Sequence, residues 1–288
     1  MLALFAGARA VASDALPLTP NPLMQWADLL ARPRPVATQR IAYGTDPAQI
    51  ADLWLPDGVA HPSVVVMIHG GCWQAHIANL SIMDFAASDL AARGLAVWNI
   101  EYRGIDQPGG GYPGTYHDVE AAIARLGPEA AARGLDLTRV VIVGHSAGGH
   151  LALWAAKGPA PQGAPYTAVV DLAGIANLET DTDTACGAGP TRAMTGEATS
   201  QRPDVFRDTS PAHRLPLGVP TFVIHGADDV TVAPPIGAAY AARARAAGDA
   251  VEVLTPPGGH VEEIAPGSEA WEATIAPLIV KLARGGTV

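Results

Sequence analysis

The chain predicts an α/β domain built on a mostly parallel, eight-stranded sheet, with helices on both faces and a small cap. Three observations carry this reading. Strand-like and helix-like segments alternate along most of the sequence, the pattern of successive βα units. Several strand candidates are continuous apolar runs, as expected of strands covered on both faces. The chain has 288 residues, 49% of them hydrophobic and only 16% charged, enough for one large core with little extended disorder.

The strand candidates are Gln39–Tyr43, Ala51–Leu55, Val64–His69, Ala96–Ile100, Val140–Val143, Val169–Leu172, Thr221–His225 and Val251–Leu254. The helix candidates are Ile77–Ala92, Tyr116–Leu126, Ala147–Ala156, Ile236–Ala247 and Ser268–Leu282, the first and last with apolar residues at helical spacing. Residues 1–37 read as an N-terminal tail whose proline-rich part packs over the surface, and 38–288 as the folded domain. Residues 174–217 break the rhythm and read as a small cap, with an ordinary excursion as the alternative. Asp181 and Asp183 lie there, but no His or Cys spacing supports a metal site.

A net charge of −10 and the absence of a basic stripe argue against a nucleic-acid partner. No run of about 18 apolar residues predicts a membrane span. Leu2–Ala6 followed by Ala8–Ser13 reads either as the end of a secretory signal, with a remnant at 1–12, or as a loose tail, so localisation stays open between cytoplasmic and secreted or periplasmic. Cys72 and Cys186 are too few for a disulfide framework. A bridge between them is open to the sequence, but reduced thiols are the expectation.

The sharpest local signal is Gly144-His145-Ser146-Ala147-Gly148, a G-x-S-x-G directly after the apolar run Val140–Val143 and before a helix-forming stretch. That is the strand–turn–helix context of a nucleophile elbow. A serine hydroxyl needs a base to take its proton, and the base needs an orienting acid, in the chain order Ser, Asp, His. Asp229 follows the strand Thr221–His225, and His260 follows Val251–Leu254 after paired glycines. Both therefore stand, with Ser146, at the strand C-termini where ligands bind in open α/β sheets. Asp228 and Asp171 are rival acids. His69 and His225 end strands and are expected to bond loops, and His150 points elsewhere by periodicity. His61, His76, His117 and His213 have no supporting pattern.

His69-Gly70-Gly71-Cys72-Trp73 follows the strand at Val64–Ile68. Backbone N–H groups of Gly71, Cys72 and Ala147 are the candidate oxyanion hole, with a tight structural loop as the alternative. Trp73, Tyr112 and His145 are candidate pocket residues; simple packing is the rival reading. Gly109, Gly111 and Gly114 spell G-x-G-x-x-G, but Pro113 interrupts them and no strand runs directly into a helix, so a dinucleotide site is discounted.

From about residue 38 to 284 these pieces resemble the α/β-hydrolase superfamily. The His-Gly-Gly-Cys-Trp loop resembles that of the kynurenine formamidase (arylformamidase) group and its esterase relatives. The resemblance implies hydrolysis of a small carboxylic ester or N-formyl amide through an acyl-enzyme, with no metal and no organic cofactor. An acyltransferase with the same triad and a non-catalytic binding protein of this fold are the rivals. Substrate identity and oligomeric state are not set by the sequence.

Overall fold

The computed structural model describes residues 23–161, 166–181 and 186–286. The expected signal remnant at 1–12 and Asp183 lie outside the described residues. The chain opens with a short helix α1 (Trp26–Leu30) and continues through β1 (Gln39–Ala42), β2 (Ile50–Trp54) and β3 (Ser63–Ile68). Next come α2 (Asp84–Ala92), β4 (Ala96–Ile100), α3 (Gly114–Arg133), β5 (Asp136–His145), α4 (Ala147–Ala156) and β6 (Ala168–Leu172). Helices α5 (Ala188–Thr195) and α6 (Phe206–Thr209) precede β7 (Thr221–Ile224), α7 (Pro234–Ala246), β8 (Val251–Leu254) and α8 (Ala276–Ala283).

The eight strands form one sheet in the order β1-β2-β4-β3-β5-β6-β7-β8. From β4 to β8 every pairing is parallel; β2 runs antiparallel to both β1 and β4. Side chains along β3 alternate between two cores. Val64, Val66 and Ile68 join one, with α3, α4 and α7, while Val65 and Met67 join the other, with α2 and α8. That two-sided burial is why the strand reads as an unbroken apolar run rather than an alternation.

Three helix expectations shift. The expected Tyr116–Leu126 begins at Gly114 and runs on to Arg133, where Gly134 at φ 67° ends it. The candidate Ile77–Ala92 forms a helix only from Leu80, first as a 3₁₀ turn whose N-cap, Asn79, accepts the Ser81 N–H. A capping Asn ends the preceding turn more strongly than apolar spacing extends a helix through it. Ser268–Leu282 divides into a π-helical stretch, Ala270–Ile275, and α8. Among the described residues no helix is long and apolar enough to cross a membrane.

Residues 174–217 carry α5 and α6 and bond to the α3–α4 side of the domain. The Tyr112 N–H donates to the Ala193 carbonyl, and the Trp154 indole donates to the Asp208 carbonyl. Helix α1 belongs to the second core through the fully buried Leu29. The segment expected as tail thus supplies an element of the domain.

Asp171 on β6 is wholly buried, and its carboxyl packs against Gly149 and Gly174. Burial raises its pKa from 3.8 to about 8. Between those two values the folded protein keeps a proton that the unfolded chain has lost, so this group lowers stability as pH rises through the window. The near-isosteric Asp171→Asn variant is expected to gain Tm relative to wild type steadily from pH 4 to pH 8. Parallel Tm–pH curves for the two proteins would contradict this.

Candidate active site

The turn after β5 is the tightest piece of backbone in the site. Ser146 has φ 56° and ψ −123°, a conformation that side chains rarely adopt. The flanking glycines explain the motif. A Cβ on Gly144 would lie 2.0 Å from the Gly148 carbonyl oxygen, and one on Gly148 would lie 2.2 Å from the Ile68 carbonyl oxygen. Only glycine lets α4 start this close to β5 and β3. As the first residue of α4, Ala147 has an N–H with no intrahelical acceptor.

His260 Nδ1 lies 2.7 Å from Asp229 Oδ2. The other Asp229 oxygen accepts the N–H groups of Thr231 and Val232. Burial works against ionisation of this carboxyl, but the His260 hydrogen bond and these two N–H groups outweigh it and hold its pKa below the usual carboxylate range. Asp228 is exposed and accepts the Gly258 N–H, which makes it a turn residue. Asp171 faces the Gly149 and Gly174 backbone instead of His260.

His145 does not line the cavity, contrary to the pocket expectation. It is fully buried, and its Nε2 lies 2.9 Å from the His260 carbonyl oxygen. Burial first, and the neighbouring His260 second, push its pKa well down, so it is a neutral ring donating to that carbonyl. Its ring packs 4.4 Å from that of His260, and Trp26 meets both edge-on. His145 thus braces the His260 loop from behind. The donor atoms of His145, His260 and Glu263 fall within 4.8 Å of one another, a grouping of metal-ligand type. Of these, His145 Nδ1 and Glu263 Oε2 have no hydrogen-bond partner among the described residues, whereas the His260 ring is held at Nδ1 by Asp229.

The loop after β3 carries three consecutive residues with positive φ: Gly71 at 103°, Cys72 at 52° and Trp73 at 57°. Several groups hold it in this shape. The His69 ring stacks on Tyr102 and places Nε2 2.8 Å from Glu101. Trp73 is fully buried beneath the loop, its indole N–H between the Ala147 carbonyl and His150 Nδ1. It supports the start of α4 and does not reach the cavity, which corrects its assignment as a pocket residue. His150 donates from Nε2 to the Thr209 carbonyl, and burial lowers its pKa to about 4. Tyr112 also lies elsewhere, its hydroxyl on Asp208 and its ring under Arg202.

Cys72 is bonded to Cys186, with the two Cα atoms 5.3 Å apart. Reduced thiols were the expectation, and the fold overturns it. The excursion after β6 returns to the β3 loop at residue 186, a proximity between positions 114 residues apart that cysteine count alone does not reveal.

Ser146, His260, Gly71 and Cys72 line one cavity of about 350 Å³. Its other walls are Trp26 and Leu30 from α1, Ile77, Ala78 and Ile82 from the stretch before α2, and Thr231. Among the described residues, none of the 174–217 excursion is among these walls, and the apolar roof comes from α1. Glu262 anchors it: one carboxyl oxygen accepts the Met24 N–H and the other the Gly259 N–H beside His260. Arg32 adds a bond to the Pro266 carbonyl. Trp26, Leu30 and Glu262 were not singled out from sequence. The signal was there in the apolar spacing of Trp26, Leu29 and Leu30, masked by the prolines around it.

A family model described as BD-FAE matches residues 51–240. Esterase LipC of Mycobacterium tuberculosis is 32% identical over 231 residues, covering 74% of this chain and 56% of LipC. A probable isoprenylcysteine alpha-carbonyl methylesterase of Arabidopsis thaliana, ICMEL1, is 30% identical over 119 residues, 41% of this chain and 24% of that protein. The chain therefore spans about half the length, or less, of these curated relatives. Esterase B from Lactobacillus rhamnosis superposes with a TM-score of 0.70 at 21% identity, over 90% of this chain and 93% of that one. A bacterial heroin esterase superposes at 0.64 with 24% identity, over 87% and 84%. At these identities the likeness establishes the α/β-hydrolase fold.

The disulfide is directly testable. The unfolded, unreduced protein should show no free thiol although the sequence holds two cysteines. Cys186→Ser should lower stability by about 2–4 kcal/mol, read as a drop in Tm that reducing agent reproduces in wild type. Titratable thiols in the unreduced protein, or a Tm indifferent to reductant, would refute the bond.

Proposed function

We propose that this chain, which belongs to the BD-FAE family, hydrolyses small apolar carboxylic esters through an acyl-enzyme formed on Ser146. One observation carries the reading. A His260–Asp229 pair in hydrogen-bond contact and a serine on a strained, glycine-flanked turn open into the same apolar cavity.

The chemistry follows from the geometry. His260 Nε2 takes the Ser146 proton as Oγ attacks the ester carbonyl carbon. Asp229 fixes the proton-bearing nitrogen at Nδ1 and stabilises the imidazolium that forms. Negative charge gathers on the carbonyl oxygen, and the N–H groups of Gly71, Cys72 and Ala147 receive it. Donors fixed in place beforehand need no reorganisation as the charge develops, which is why such a hole is worth roughly 3 kcal/mol per donor. His260 then returns the proton to the departing alkoxide. Water, activated in turn by His260, releases the acid and restores Ser146.

The cavity favours an ester over a formamide. A formyl group carries no chain beyond the reacting carbon, so a formamide could contact the walls of Leu30, Ile77 and Ile82 only through its amine side, whereas an ester can do so from either side. A volume of about 350 Å³ is at the small end of ligand pockets and suits short apolar groups.

Ser146→Ala should lower kcat/KM on p-nitrophenyl butyrate by roughly 10⁴-fold or more and abolish labelling by a fluorophosphonate, with Tm preserved. Asp229→Asn should cost roughly 10⁴ in kcat while Asp228→Asn stays near wild type. Retained activity in Ser146→Ala would sink the mechanism, and the reverse order of the two Asp variants would reassign the acid. Trp26→Ala should mainly raise KM, because it removes roof area and leaves the triad in place. A higher kcat/KM on an aryl formamide than on the butyrate would overturn the ester preference.

A further inference from the structure

The cavity at Ser146 does not end the concave surface. A second cavity, also about 350 Å³, shares Leu30, Ile77, Ala78 and Ile82 with it and adds Arg34, Asn79 and Ser81. A third, about 400 Å³, takes up Arg34, Asn79 and Ser81 again and is lined beyond them by Arg40, Glu101 and Gln107 among apolar residues such as Pro47 and Ile50. The chemistry thus changes along the surface, from apolar beside the serine to more polar at the far end, where Arg40 is bound to Asp52 and Glu101 to His69.

Arg34 is built differently from its basic neighbours. Arg40 spends two nitrogens on the Asp52 carboxylate, and Arg32 bonds the Pro266 carbonyl. Arg34 is held through Nε alone, 3.0 Å from the buried Asp84 carboxylate, and its side chain is about half exposed. That single contact orients the guanidinium from behind. Among the described residues its guanidinium has no other acceptor, and Arg34 lines the cavity together with Asn79 and Ser81. A planar fork with its donors uncommitted matches a carboxylate, which can take two parallel N–H bonds.

We propose that the physiological ester carries a carboxylate at the end of one arm, and that Arg34 is the residue that reads it. This rests on the esterase reading of Ser146. The substrate's scissile carbonyl lies at Ser146, its apolar middle crosses the wall of Leu30, Ile77, Ala78 and Ile82, and its anionic end reaches Arg34. The assignment runs against the molecule's overall charge of −10, which repels anions at long range. Recognition is therefore local, and it is sensitive to ionic strength only through a short-range pair.

The test compares kcat/KM for two series of esters. One is p-nitrophenyl monoesters of straight-chain dicarboxylic acids of increasing length; the other is butyrate esters of ω-hydroxycarboxylic acids. Each is measured against a neutral ester of matched length, in wild type and in Arg34→Gln. In one series, wild type should prefer the carboxylated ester by roughly tenfold at an optimal chain length, the scale of one hydrogen bond to a charged group. In Arg34→Gln that preference should vanish while the neutral esters turn over as in wild type. Because Gln leaves Asp84 unpaired, Arg34→Lys serves as a second variant: it keeps the charge against Asp84, loses the fork, and should retain only part of the preference. Neutral esters favoured at every length in both series, or a preference that survives Arg34→Gln, would overturn the proposal alone. No turnover of any ester by wild type would overturn the esterase reading with it.

Discussion

Helix α4 begins so close to β5 and the end of β3 that no side chain fits at Gly144 or Gly148. The remaining features of the site follow from that approach. It forces Ser146 into a left-handed conformation and brings the first turn of α4 beside the β3 loop, where Cys72 and Trp73 are also left-handed. Each such residue costs about 1–3 kcal/mol and persists only where its surroundings over-determine it. Here they do. The Trp73 indole bonds the Ala147 carbonyl, the His69 ring is clamped between Tyr102 and Glu101, and the disulfide closes the loop from outside.

Burial sorts the histidines. His145, His150 and His225 sit in the interior, where loss of water pushes their pKa values down and keeps them neutral. Each offers its ring to a backbone carbonyl, of His260, Thr209 and Val232 respectively. The ionised group beside His260 is Asp229, which keeps its charge because two backbone N–H groups and the imidazole share it. In the proposed mechanism, positive charge forming on His260 would therefore meet one fixed counter-charge and a neutral ring at its back. Glu262 and Glu263, directly after His260, tie the same loop to Met24 and Gly226, so the base is fixed from both sides of the chain.

Much of this was legible in the sequence because its signals are local. G-x-S-x-G after an apolar run encodes the turn, and the placement of Asp229 and His260 beyond strands encodes their meeting edge. The central strands stand near their expected positions for the same reason, since doubly covered strands must be apolar throughout, although β5 runs beyond Val140–Val143 to span Asp136–His145. What escaped depended on distant contacts. The Cys72–Cys186 bond needs the path of the excursion after β6. Trp73 was open to either a pocket or a packing role, and its ring is fully buried beneath the loop. Trp26 was lost in a proline-rich stretch because a five-residue helix has too few turns to show a period.

The roof over the serine has one further consequence. It is a short local segment, joined to the domain by Leu29, by the Met24–Glu262 bond and by Arg32, and no strand depends on it. The elbow admits no side chain at Gly144 or Gly148, whereas Trp26 and Leu30 on the cavity side of α1 are partly exposed. On the proposed function, selection for a new ester can therefore act on a few residues at the edge of the domain. Fold and substrate preference are free to evolve at different rates within one chain.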